Sequence, residues 1–548
     1  MHRLTTLCKL DVIVMLKSLQ IFQFLFFVLC LCPQGVFADV SVNALFSDHM
    51  VIQRDTKIPV WGWADPHEKV EVTGSWGNSV KTITSTDGTW RVDLQTPKAG
   101  GPYTITISGN NKLVINDVLS GEVWLCTGQS NMDFNLGKFL NDAREPQYQP
   151  LVKQIREEVA RANDDYLRHI EVLQNTSPLA KQTHFKGQWV SAIKDSVNKI
   201  TATGYFFAKA LREKLNVPIG LVECSWGGTR IQPWLSEDMY MGDEHMKAYY
   251  ESTLKKTKYT MEHVAEADFE DTTFQKKFDA WKAEGKKTRR PYPKVHPTKD
   301  IQLPATLYNG MLSAIIPYKI KGAIWYQGES NSHFLEDEYA AYFKTMITGW
   351  RTDWNQGNFP FYWVQLANYK VPDERSNLGW ATVNNELRKS LSLPNTGMAV
   401  LYDVGEAKDV HPHNKMDTGK RLSLLALNRT YNINVDADCG PLYESMKVNS
   451  GKIELTFSEV ASGLMTGSKY LNNPTEQSTD TLNTFEILGA DNIWKPAEAK
   501  IISKNKIEVW NTTIKQPKHV RYAWSSNPTG ANLYNKVGLP AAVFSTED

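Results

Sequence analysis

Glu122-Val123-Trp124-Leu125-Cys126-Thr127-Gly128-Gln129-Ser130-Asn131-Met132 is the stretch whose reading decides the fold. Its first six residues are apolar and β-prone enough to form a strand buried on both faces, as the strands of parallel sheets are. Gly128 to Met132 break that run, so Ser130 falls just past the carboxyl end of the strand, where open α/β sheets gather ligands and catalytic groups. A serine in that place is either a nucleophile or the cap of the next helix. For an isolated strand-Ser-helix junction the cap is the commoner outcome, so the other junctions of the chain must decide.

Reading outward toward the carboxyl terminus, Thr201 to Leu215 holds Phe207, Leu211 and Leu215 on one helical face, and Val217 to Cys224 follows as a short apolar strand. The pairing recurs. Ala323 to Gln327 leads to a helix near Glu336–Trp350, Phe361 to Leu366 to one near Trp380–Leu391, and Met398 to Val404 to one near Asn414–Leu427. Strands alternating with helices specify a parallel sheet with helices on both faces, so residues 118–430 are expected to form one α/β domain. Residues 236–304 interrupt it with a polar, Lys-rich, helical insertion ending in Pro291, Pro293 and Pro297. Its charges are read first as a solvated face, and second as a lid over the site.

Toward the amino terminus the period changes to two. Val70-Glu71-Val72, Trp90 to Leu94 and Tyr103 to Ile107 alternate, and Asp87-Gly88 is a hairpin signal, so residues 39–117 are expected to form a small β-sandwich. Its role is scaffolding or carbohydrate binding. Residues 431–548 return to alternating segments such as Lys452 to Phe457 and predict a second β-sandwich.

Residues 1–38 read as a signal peptide. Lys17 precedes the apolar run Ile21 to Cys32, which is too short for a comfortable membrane span of about 20 residues, and Val36-Phe37-Ala38 places small residues where a signal peptidase reads. Cleavage is expected after Ala38, with Met15 a candidate start. The consequence is an exported protein, periplasmic or secreted, with no stable membrane insertion once the segment is removed. Of six cysteines, Cys126, Cys224 and Cys439 would remain, an odd and widely spaced trio that is no disulfide framework. The 548 residues exceed what one core usually serves, and 61 basic against 60 acidic residues leave none of the charge that marks a nucleic-acid partner. The 17 Trp and 22 Tyr suit sugar binding and ordinary cores equally.

In a parallel sheet every strand points its carboxyl end to one edge, so residues far apart in sequence meet there. Four junctions carry polar groups: Ser130-Asn131, Ser225-Trp226-Gly227-Gly228, Gln327-Gly328-Glu329-Ser330-Asn331 and Asp409-Val410-His411-Pro412. An activated serine needs a base within reach and donors for the oxygen that becomes negative. His411 is the candidate base, Gly227-Gly228 permits close approach of a backbone N–H, and Asn331 or Gln327 could add an amide. Taken singly, a glycine pair is more often a turn and a lone histidine a surface group, so the joint placement carries the reading. His411 and His413 bracket Pro412 without enough further ligands at suitable spacing for a metal site.

These blocks resemble the SGNH hydrolases, and more closely the sialate O-acetylesterase family. The resemblance rests on Gly128-Gln129-Ser130-Asn131-Met132, Ser225-Trp226-Gly227-Gly228-Thr229, Trp325-Tyr326-Gln327-Gly328-Glu329-Ser330-Asn331, Asp409-Val410-His411-Pro412 and the closing Asn532-Leu533-Tyr534-Asn535-Lys536. It implies a flavodoxin-like SGNH core flanked by β-sandwich domains, working on O-acetylated carbohydrate without metal or other cofactor. It also implies Ser130 as nucleophile, His411 as base and Gly228 with Asn331 as oxyanion donors. Two acids compete to orient His411. Asp409 stands two residues before it, where many SGNH enzymes have three, and Glu329 follows a different strand in a block that related acetylxylan esterases share. Asp409 is slightly favoured. Trp226 and Tyr326 are candidate walls for the sugar, whereas Trp325 lies within a strand and reads as core. Acetylated sialosides, xylan, pectin and mucin glycans all stay open as substrates. Two other classes stand beside this one: a glycoside hydrolase using Glu329 and Asp409 as its carboxyl pair, which leaves the Ser130 block unexplained, and a glycan-binding protein with an inactive core.

Overall fold

Trp124, Leu125 and Cys126 have no exposure to solvent, and the strand that carries them, β1 (Lys112–Gly128), is the axis of the fold. The computed structural model describes residues 39–269, 273–285, 291 and 293–547; the expected signal peptide lies outside the described residues. β1 pairs in parallel with two later strands, Ile219–Ser225 on one side and Gly322–Tyr326 on the other. In chain order the strands of this sheet are β1, β2 (Asn163–Glu171), β3 (Val190–Ile193), β4 (Ile219–Ser225), β5 (Gly322–Tyr326), β6 (Phe361–Val364) and β7 (Thr396–Ala399). Their spatial order is β3-β2-β4-β1-β5-β6-β7, parallel except for β3, which runs antiparallel to β2. Every residue of β4 to β7 is buried, which is why these segments read as continuous apolar runs.

The helices of this part of the chain include α1 (Ser130–Asp133), α2 (Gln149–Arg161), α3 (Ala202–Leu215), α4 (Glu244–His263), α5 (Phe274–Ala283), α6 (Tyr339–Trp354), α7 (Glu374–Lys389) and α8 (Lys415–Leu425). α3 starts at Thr201, whose hydroxyl accepts from the Gly204 N–H and donates to Met132 O at 2.6 Å, and it ends at Asn216 in the left-handed conformation. α4 and α5 belong to the expected insertion, whose far end, Gln302, returns to the edge of the central sheet. No helix of the described residues is long and apolar enough to cross a membrane.

Smaller sheets lie on both sides in the sequence. Residues 57–63 pair with 41–42 and 89–95, while 69–74 pair with 79–83 and 100–108. Inward-facing Val60, Val92, Val72 and Ile107 belong to one buried cluster. Asp87-Gly88 does make a turn, with Gly88 at φ +79°, yet the strands beside it join different sheets and form no hairpin. β1 also crosses the expected boundary at residue 118 without a break. Its first half pairs with 100–108 and 51–53, and its second half with β4 and β5. After residue 441 the chain forms three further sheets. They join the core through reciprocal hydrogen bonds of Gln365 with the Val543 backbone, and through Tyr534 on Asp403.

β2 escaped the sequence reading because its residues, Asn163-Asp164-Asp165-Tyr166-Leu167-Arg168-His169-Ile170-Glu171, are polar. Partners for its polar groups make it a strand: buried Arg168 pairs with Asp117, and buried His169, held uncharged by desolvation, is hydrogen-bonded to Glu223 at 2.7 Å.

Candidate active site

The register of the central sheet assembles the site. Ser225 and Tyr326 lie on either side of Gly128, so three chains leave the sheet side by side, as Gln129–Asp133, Trp226–Arg230 and Gln327–Asn331. Gly128 is at φ +133°, and a side chain there would come within 2.1 Å of Tyr326 O, so the turn admits only glycine. Gln129 then takes the cap position of α1, with its backbone N–H on Tyr326 O and its Oε1 accepting from Ser330 N. Ser130 is thereby the first helical residue and its hydroxyl is not spent on a cap.

That hydroxyl lies 2.8 Å from His411 Nε2, across 281 positions of sequence. His411 comes from the loop after β7, where Asp409 N bonds Glu406 O and Asp409 Oδ1 accepts the His411 backbone N–H at 3.0 Å. The same oxygen stands 3.7 Å from His411 Nδ1, beyond hydrogen-bond distance. Arg144 Nε holds the other oxygen, Asp409 Oδ2, at 2.9 Å. Burial alone would push the Asp409 carboxyl up, but donors from His411 and the charge of Arg144 outweigh it and hold it below the usual range. The Phe134 ring backs the imidazole at 4.4 Å. Ser130 is 8% exposed and the His411 side chain 25%, so the pair is sheltered yet open to solvent on one side.

Glu329 sits apart from His411. Its Oε1 accepts from Asn131 Nδ2 at 2.6 Å, its Oε2 has no hydrogen-bond partner among the described residues, and burial raises its carboxyl. Among the described residues no hydrogen bond joins it to the imidazole.

The amides of Asn331 and Gln327 are occupied. Asn331 Oδ1 accepts from Ile231 N and Gln327 Nε2, each at 3.0 Å, and its Nδ2 donates to Gln232 Oε1 and Phe334 O, each at 3.2 Å. Gln327 also donates to Thr229 O and accepts from the Tyr339 hydroxyl. Both satisfy buried groups of the loop that follows β4 and present no amide hydrogen to Ser130, because a buried loop needs these partners. Gly228 is exposed, at φ +78°, with its carbonyl accepting from Gln302. The backbone N–H groups of Gly228 and Ser130 have no acceptor among the described residues.

Tyr326 corrects an expectation. It is wholly buried beneath the site, so it cannot wall a sugar pocket. The reason is alternation along β5, whose two faces are both covered. Trp226 is half-buried in the loop beside Ser130, and Trp325 packs edge-on against Trp234 and Trp350 in the core.

Four residues passed over in the sequence complete the site. Asp133 accepts the Gly227 N–H at 3.2 Å; burial, then the charge of Glu223, push its carboxyl up to about 7. Asn131 joins Glu329 to Val410 O, Lys415 reaches Asn131 from beneath, and Arg144 fixes Asp409. Proximity to Ser130 or His411 in sequence marks three of them; nothing marks Arg144. Elsewhere Asp438, Cys439 and Glu459 converge, but the Arg429 guanidinium lies among them, bonded to Asp438 at 2.8 Å.

The family described as "Carbohydrate esterase, sialic acid-specific acetylesterase" matches residues 120–270 and 298–426. Those segments hold Ser130, Gly228, Glu329, Asn331, Asp409 and His411. The chain belongs to this family. Its fold matches the crystal structure of a carbohydrate acetylesterase from Xanthomonas citri, with TM-score 0.74 and 32% identity over 93% of this chain and 99% of that one. The sialate O-acetylesterases of Mus musculus and Homo sapiens are each 26% identical to it, the first over 88% of both chains, the second over 78% of this chain and 79% of its own. As a member of this carbohydrate esterase family, the protein removes O-acetyl groups from carbohydrate.

Proposed function

We propose that the protein is an exported serine esterase working through an acetyl-Ser130 intermediate. The observation that carries this reading is the 2.8 Å contact of Ser130 Oγ with His411 Nε2. Ser130 attacks the acetyl carbonyl while His411 takes its proton and then hands it to the departing sugar oxygen. Water, deprotonated by the same imidazole, releases acetate and restores the serine. Asp409 is the orienting acid, supported by its position on His411 and by the engagement of Glu329 with Asn131. The oxyanion meets the backbone N–H groups of Ser130 and Gly228, supported by their lack of other acceptors.

The parallel order β4-β1-β5-β6-β7, which counted along the chain is 2-1-3-4-5 with β2 added outside β4, and the placement of both partners at one edge, support a flavodoxin-like SGNH core over residues 118–430. Residues 39–117 and 431–548 are read as flanking β-sandwiches and 1–38 as a cleaved signal peptide directing export. The names of the mammalian relatives favour O-acetylated sialic acid as substrate, with acetylated xylan or pectin as the alternative. The test is twofold. A fluorophosphonate should label Ser130, and Ser130→Ala should lose roughly 10³-fold or more of acetate release from O-acetylated sialosides, xylans and pectins. Undiminished turnover by that variant would end the serine reading.

A further inference from the structure

We infer that Lys415 is a positioning residue for acyl transfer, acting through Asn131. The inference rests on the Ser130–His411 reading above. Lys415 opens α8 four residues after His411 and is completely buried. An ammonium is not placed there without compensation. Burial lowers its pKa to about 7, and the carboxyls of Glu329, Glu406 and Asp409 act against that shift by favouring the charged form. Each of them has another partner: Asn131 holds Glu329, His413 holds Glu406 at 2.8 Å, and Arg144 with His411 holds Asp409. The aromatic rings of Phe139 and Tyr326 flank the ammonium at 5.2 Å each. Its direct hydrogen bond is to an amide, Asn131 Oδ1, at 2.5 Å.

The direction of that bond matters. Charged, Lys415 can only donate, and Val410 O on the other side can only accept, so the oxygen of the Asn131 amide faces Lys415. The amide nitrogen is thereby turned to the other side, where its two hydrogens meet Glu329 Oε1 at 2.6 Å and Val410 O at 3.0 Å. Asn131 follows the nucleophile and Val410 precedes the base. One amide therefore clamps the two chain segments whose side chains must meet, and Lys415 selects the orientation in which the clamp works. With the amide reversed, its oxygen would face a carbonyl and a carboxylate, and the segments would be pushed apart.

The test is steady-state kinetics of the full mature protein on p-nitrophenyl acetate, comparing wild type, Lys415→Met, Asn131→Ala and the double variant. Each single change should lower kcat on the order of 10²-fold, as a misplacement of about 1 Å can do, with KM moved by less than about twofold. The double variant should fall no further than the worse single, since both changes open one clamp. Asn131→Asp guards against misfolding: it keeps the Lys415 contact, loses both donated hydrogens, and should be as slow as Asn131→Ala. Wild-type kcat in folded Lys415→Met or in Asn131→Asp, or losses that multiply in the double variant, would overturn the inference. Ser130→Ala run alongside separates the two readings, because its full activity would undo the nucleophile assignment, whereas its inactivity beside an unaffected Lys415→Met undoes only the clamp.

Discussion

Asp133→Asn should make the protein more stable than wild type, by an amount that grows with pH and then levels off. Asp133 lies on α1 against Gly227 and close to the fully buried Glu223, and its carboxyl moves from 3.8 to about 7 on folding. Below the unfolded value both states hold the proton and contribute no pH dependence. Between about 4 and 7 the folded state keeps a proton that the unfolded state has released, so stability falls as pH rises; above about 7 both states are ionised and the deficit is constant. Three units at about 1.4 kcal/mol each set an upper bound near 4 kcal/mol, and partial exposure with solvent screening brings the expected figure to about 1–2 kcal/mol. Asn keeps an oxygen for the Gly227 N–H and never ionises. The assay is the thermal midpoint of both proteins across roughly pH 4 to 8.5, where the gap should open through the window above and reach about one to two degrees. A gap that stays flat across the whole range refutes the reasoning, because it would mean that the Asp133 carboxyl ionises in the folded protein as it does in the unfolded chain.

Other residues give sharper yes-or-no outcomes. Tyr326→Phe removes a buried hydroxyl with no well-formed hydrogen bond among the described residues, so stability should hold within about 1 kcal/mol and kcat/KM on an acetylated sugar should be unchanged; a tenfold loss, on the order of 1.4 kcal/mol, would return Tyr326 to the substrate. At Gly228 a methyl group meets nothing within 4 Å, but φ is +78°, so Gly228→Ala should cost about 1–2 kcal/mol of stability from backbone strain. It should also lower kcat by about 10²-fold if the displaced N–H serves the oxyanion, and calorimetry beside acetate release checks both. Arg144→Met frees Asp409 Oδ2 and should lower kcat by roughly threefold to tenfold with KM unmoved. Wild-type kcat in that variant would show that Asp409 needs no second anchor.

The sequence was most legible where burial leaves an apolar imprint. β4 to β7 are buried on both faces, and their runs, each followed by a helix, carry that order openly. Ser130 was legible for a related reason, since it directly follows a buried run, whereas His411 lies in the loop beyond the last one and is brought to Ser130 by the parallel register. What stayed hidden depends on pairs distant in sequence. β2 reads as a polar loop until Asp117 and Glu223 are set against Arg168 and His169. Asn331 and Gln327 look like free amides until the loop after β4 is seen to need them. Tyr326 and Trp325 stand in one strand with identical propensities, and only the coverage of both sheet faces shows that neither reaches a ligand. Arg144 is legible in no local pattern, because its partner lies on a loop 265 positions away, after the last strand of the sheet.

Strand β1 is one uninterrupted beam whose amino half is laced to the smaller amino-terminal sheet and whose carboxyl tip presents the reactive hydroxyl. A cut near residue 118 would strip ladder partners from both fragments at once, so the amino-terminal layer cannot be exchanged like a cassette in the way a tethered module can. Recombination in this lineage should favour crossover points within the loops and the insertion, and proteases acting on the native protein should nick there and leave the beam whole.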